Sequence, residues 1–244
     1  MRLYLLASLA FLFYGSIAST VIRAKPNVVI FFTDDQGTLD AGCYGAPHLK
    51  TPHIDQLAET GVRFTQAYAH TVCCPSRAMM MTGRHPQRGG VNHWTQGNMN
   101  TPKGRNMSLE ELTMAEVLKR EGYRTALFGK WHLGAHQDHG PKKQGFDEFF
   151  GIRNGFIDNF NHHFLHQAGY HDLYEGTIPL KADGKFFPEL MTHRALRFIE
   201  ESKDKPFFLY LAHSMPHIPL YVPDEVRDPN PLNAYVNTIE HIDS

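Results

Sequence analysis

With 244 residues, 42% hydrophobic and 20% charged, the chain suits one large α/β domain or two ordinary ones of roughly 100–200 residues each, and wholesale disorder is excluded. Its 24 basic and 25 acidic side chains leave a net charge of -1, so no cationic surplus exists to neutralise phosphates, and no nucleic acid is expected as a partner. Three cysteines are too few for a disulfide framework, whereas 16 histidines suit metal or proton chemistry without specifying either.

Met1 and Arg2 lead into the apolar run from Leu3 to Ala18, which ends on small residues. One cation, a short apolar stretch and a Ser16-x-Ala18 exit predict a signal peptide over residues 1–18, with Ala24 as a later cleavage point and an uncleaved anchor as the alternative. The run falls short of the ~20 residues that span a bilayer, and no later stretch comes close, so no stable membrane span is expected. The mature protein is expected to be secreted or periplasmic, in an oxidising compartment where calcium is available.

Residues 27–33 form a continuous apolar, β-rich run, the pattern of a strand buried on both faces. Thr51-Pro52 opens a predicted helix with Ile54, Leu57 and Ala58 on one face and Gly61 as its stop. Ser108 and Glu111 have capping-box spacing ahead of Leu112, Ala115 and Leu118, with Gly122 ending that helix. A strand over 123–128 follows, then a helix carrying Leu190, Ala195, Leu196 and Ile199, then a strand over 206–212. Such alternation predicts an α/β fold: a mostly parallel mixed sheet with helices on both faces. Ligands in these folds gather at the carboxyl ends of the strands, where polar clusters follow three of the predicted strands.

Asp34 and Asp35 end the first strand. Adjacent carboxylates repel, and a hard cation or a shared proton relieves them, although Asp-Asp-Gln-Gly is also good turn chemistry. In Cys73-Cys74-Pro75-Ser76-Arg77, Pro75 suits a first helical turn. That places Cys73 just before a helix N-terminus, where exposed N–H groups and the Arg77 fork favour an anion. Lys130 and His132 follow the second strand, in a pattern equally open to a surface loop, and Pro216-His217-Ile218-Pro219 equally reads as a rigid turn.

These segments together resemble the type I, formylglycine-dependent sulfatase family. The resemblance rests on Cys73-x-Pro75-Ser76-Arg77 with Thr82-Gly83-Arg84, the lead-in Thr51 to Ala58 with Gly61 to Phe64, and Gly129-Lys130-Trp131-His132-Leu133-Gly134. Gly145 to Phe149 and Pro206 to Tyr210 with Pro216-His217-x-Pro219 add to it. It implies the alkaline-phosphatase-like sulfatase fold and sulfuric ester hydrolysis of an arylsulfatase-like kind. It also implies one Ca2+ held by Asp34, Asp35 and residue 73, with Cys73 converted to formylglycine by a maturation enzyme. The hydrated aldehyde is a gem-diol: one hydroxyl attacks sulfur, and the second, which Ser and Cys lack, later expels sulfate. By the same resemblance Arg77 holds the formylglycine, Lys130 clamps the sulfate, His132 takes the proton of the second hydroxyl and His217 donates to the departing alcohol. The substrate implied is a sulfate ester, sulfated polysaccharides included.

In relatives, an Asp-Asn pair and a further Lys follow well after the Pro-His-x-Pro block, and a smaller C-terminal subdomain closes the pocket. Residues 19–244 are therefore expected to be the N-terminal part of the catalytic domain, C-terminally incomplete, impaired on its own and with an unpaired sheet edge. Two rivals stay open: a phosphonate or phosphate monoester hydrolase of the same superfamily, and a non-catalytic fragment that binds sulfated glycans. Cys43 and Cys74 either pair or stay as thiols. His162, His163 and His166 lack a recognisable zinc pattern and read as a loop. Asn106-Met107-Ser108 is a glycosylation sequon.

Overall fold

A computed structural model describes residues 24–94, 99–165 and 169–244. The signal-peptide expectation for 1–18, its later limit near Ala24 aside, and His166 lie outside the described residues.

The strands are β1 (Val28–Asp34), β2 (Arg124–Lys130), β3 (Glu148–Ile152), β4 (Tyr174–Glu175), β5 (Ile178–Pro179) and β6 (Phe207–Pro216). The helices are α1 (Pro52–Thr60), α2 (Cys73–Thr82), the single turn α3 (Pro86–Gly89), α4 (Met114–Arg120), α5 (Phe187–Glu201) and α6 (Ala234–Asp243). They build a six-stranded sheet in the order β1-β6-β2-β3-β4-β5. Its first four strands run parallel and the last two antiparallel, as the α/β expectation requires.

Both faces of the central strands β2 and β6 are buried, unlike those of β1, and the side chains divide with a period of two. Leu127, Phe208, Tyr210 and Ala212 join Cys74, Ala78, Met81 and Ala115 in one layer under α2 and α4. Ala126, Phe128, Leu209 and Leu211 join Phe187, Met191, Ala195 and Phe198 of α5 in the other. This two-sided burial is why β2 and β6 read as unbroken apolar runs. β1 lies at the edge of the sheet: Val28, Ile30 and Phe32 pack inward, while Val29 and Phe31 are about half exposed among the described residues.

Several local expectations need correction. α4 begins at Thr113, not Ser108. The Thr113 hydroxyl accepts from the Glu116 N–H (3.1 Å) and the Glu116 carboxylate accepts from the Thr113 N–H (2.9 Å), a complete capping box. Glu111 instead accepts two hydrogen bonds from Arg84, at 2.6 and 2.8 Å. On α5 the buried face is Phe187, Met191, Ala195 and Phe198, so Leu196 points outward. The apolar face expected on α1 is not buried: Leu57 is 71% exposed. The strand expected over 206–212 runs on to Pro216, which carries it into the site. No disulfide joins Cys43 to Cys74; all three cysteines are thiols.

Candidate active site

Parallel strands align their carboxyl ends, and here those ends carry chemistry. Asp34 closes β1, Lys130 closes β2, and His217 follows β6, whose Pro216 pairs in register with Asp34. Cys73 is the first residue of α2, one position further in than expected. Gly129 lets Lys130 arrive. Its backbone has φ +119°, and a side-chain carbon there would overlap the carbonyl oxygen of Ala212 on β6.

The buried centre is Asp34. Its Oδ2 accepts from Lys130 Nζ at 2.5 Å and its Oδ1 from Arg77 Nη2 at 3.1 Å, all three residues being essentially inaccessible to solvent. Burial alone would raise the Asp34 carboxyl, but Lys130 and Arg77 outweigh it and hold the group down at about 2. Arg77 is fixed on its other sides by the Lys130 carbonyl (2.9 Å), the Tyr210 hydroxyl (3.3 Å) and the face of Phe32 (5.3 Å). Burial works against its charge, yet Tyr210 and Asp34 push its pKa up, so it stays a guanidinium.

Cys73 Sγ lies 3.2 Å from Nδ1 of His132. A hydrogen bond from Cys74, then His132 and Lys130, overcome burial and bring the thiol down to about 3, a thiolate at neutral pH. Burial first, and Lys130 second, lower His132 to about 4, so its imidazole is neutral at pH 7 and able to accept a proton. His132 sits in the left-handed region at φ 55°, and its ring fills the space where a side chain at Gly155 would stand.

Asp35, also left-handed at φ 71°, turns its carboxylate toward the opening. Its Oδ2 is 3.7 Å from His217 Nε2, and the His217 ring stacks on Phe156 at 4.8 Å. Burial and the charge of Asp34 raise its carboxyl. Every site residue expected from the sequence therefore reaches one end of the sheet. Tyr210, Phe32, Gly155 and Phe156 were missed: their contacts join distant segments, and only the alternation that points Tyr210 toward α2 gave a local hint.

The donors can be tested against calcium. Asp34 and Asp35 are oxygen donors of like charge held side by side, and the raised Asp35 carboxyl marks negative charge that a hard cation would relieve. The Cys73 sulfur is a soft donor that suits calcium poorly, whereas an oxygen-bearing residue at 73 would suit it. The fit holds for the two carboxylates and depends on modification at the third position.

Fold and site together define an α/β protein with a buried cluster of charged side chains at the carboxyl ends of its parallel strands. A family model described as Sulfatase matches residues 26–244. Arylsulfatase G of Rattus norvegicus is 32% identical over 94% of this chain and 48% of its own length, and arylsulfatase A of Homo sapiens is 35% identical over 84% of this chain and 44% of its own. The crystal structure of Ps i-CgsB in complex with k-i-k-neocarrahexaose superposes with a TM-score of 0.79 at 28% identity, covering 90% of this chain and 52% of that one. The chain belongs to the sulfatase family. It spans about half the length of these relatives or less.

No described helix is long and apolar enough to cross a membrane.

Proposed function

We propose that the protein carrying this chain is an exported sulfuric ester hydrolase whose residue 73 is converted to formylglycine by a maturation enzyme. The observation that carries this reading is Cys73, at the first turn of α2, 3.2 Å from a neutral buried His132 and beside the Lys130–Asp34–Arg77 cluster. The aldehyde hydrate supplies two hydroxyls on one carbon, one to attack sulfur and one to expel sulfate. Calcium, held by Asp34, Asp35 and the modified residue 73, supplies charge neutralisation at the sulfate oxygens.

The chain's own residues have separate tasks in this scheme. Arg77, immobilised by Asp34, Tyr210 and the Lys130 carbonyl, presents fixed positive charge beside residue 73. Lys130, the second cation of the cluster, clamps a sulfate oxygen. His132 accepts the proton of the residue-73 hydroxyl at the distance its Nδ1 now keeps from the sulfur. His217, held against Phe156, donates a proton to the departing alcohol. A sulfated polysaccharide is the proposed substrate class, supported by the carrageenan oligosaccharide in the Ps i-CgsB crystal structure.

The test is to co-express the chain, within the longest open frame that contains it, with a maturation enzyme. Mass analysis of the residue-73 peptide and turnover of an aryl sulfate and an aryl phosphonate follow. Expected are an aldehyde at 73, a preference for sulfate, and loss of turnover on calcium chelation or in Cys73→Ala. Preference for phosphonate would make the protein a phosphorus hydrolase of the same superfamily. An unmodified, inactive protein that still holds sulfated glycan would make it a binder.

A further inference from the structure

Two histidines that the proposed chemistry leaves unused, His162 and His171, stand together with an aspartate. His162 follows β3, His171 precedes β4, and Asp183 lies between β5 and α5. One ligand atom from each comes within 4.8 Å of the others. His162 is fully buried, and its Nε2 lies 3.0 Å from the backbone carbonyl of Lys185. A carbonyl only accepts, so Nε2 carries the hydrogen and Nδ1 keeps its lone pair. That Nδ1 is buried with no hydrogen-bond partner among the described residues, and so is Nε2 of His171. The two rings meet edge to face, at 6.2 Å between centroids and 76° between planes.

Two buried nitrogen atoms without partners carry an unmet desolvation cost that a cation between them would remove. Burial lowers both imidazoles, keeping them neutral and ready to ligate. The Nε2–H to carbonyl bond of His162 is the kind of outer contact that orients metal-bound histidines. We propose that His162 Nδ1, His171 Nε2 and the Asp183 carboxylate bind one divalent transition-metal ion of the zinc type. Two imidazoles and a carboxylate suit zinc, with a fourth position left for solvent. Metal–nitrogen bonds of roughly 2.0–2.1 Å require ligand atoms that are now up to 4.8 Å apart to draw in, and the exposed Asp183 side chain has room to move. Bound there, the ion ties the loop after β3 to the segment entering α5.

The test strips the full chain with a chelator, titrates it with Zn2+, and records X-ray absorption at the metal. One equivalent bound through nitrogen and oxygen alone is expected, with affinity at least tenfold lower in His171→Ala and in Asp183→Ala. Circular dichroism checks the fold of each variant. Asp183 is exposed, so its variant decides the matter if His171→Ala unfolds. Cys73, Cys74 and His132 form another close group of ligands, and a sulfur shell around the zinc would place it there and overturn the proposal. Absence of stoichiometric binding, or binding unchanged in Asp183→Ala, would overturn it equally.

Discussion

Lys130 Nζ lies 2.5 Å from Oδ2 of Asp34, and neither residue is open to solvent. A buried charge tolerates the loss of one partner poorly, because the other is left without compensation in a medium that solvates it weakly. Lys130→Met keeps most of the volume and removes the charge, so it is expected to cost about 3 kcal/mol or more, read as a lower urea midpoint at unchanged slope. Adding Asp34→Asn should deepen that loss, since the buried Arg77 guanidinium then has no carboxylate to pair with. A single variant within about 1 kcal/mol of the parent would mean that Arg77 alone satisfies Asp34.

The same cluster explains what a reader of the sequence can and cannot see. Lys130 and His217 lie at the ends of strands whose two-sided burial writes unbroken apolar runs, and Asp34 closes an edge strand that is apolar throughout although its outer face is half exposed, so the strands and their polar ends are legible. β4 and β5 have two residues each, too few for any period to register. Phe150 and Ile152 of β3 lie in a strand made visible only by its pairing with β2. On α5, Leu196 and Phe198 are both apolar, and only the packing against Phe128 and Phe207 selects the second. The Arg77–Tyr210 contact spans 133 positions and leaves no local trace.

The start of α4 offers a controlled case, because Ser108-x-x-Glu111 and Thr113-x-x-Glu116 have the same spacing. Burial discriminates between them: the Thr113 hydroxyl is inaccessible and also donates to the Gln144 carbonyl at 2.8 Å, whereas Ser108 is exposed. Thr113→Ala is therefore expected to destabilise by about 1–2 kcal/mol, and Ser108→Ala by no more than about 0.5. Thermal or urea unfolding of the two variants checks this, and equal losses would restore the earlier start.

His213, inside β6, should leave a mark on the acid side of the stability curve. Its Nδ1 accepts from the Met215 N–H at 3.1 Å, and its ring lies 5.9 Å from Phe31. Burial first and His241 second push it from 6.5 down to about 3, with Asp34 opposing weakly. The folded chain thus refuses a proton that the unfolded chain accepts below about pH 6.5. Its contribution is complete above that pH and is lost as pH falls toward 3, at about 1.4 kcal/mol per pH unit within the window. His213→Asn keeps an acceptor for the Met215 N–H and cannot titrate. Urea midpoints measured from pH 7 to pH 4 should fall less steeply for the variant, by close to one proton's worth of slope. Parallel profiles would show that the imidazole is reached by solvent and protonated in the folded state.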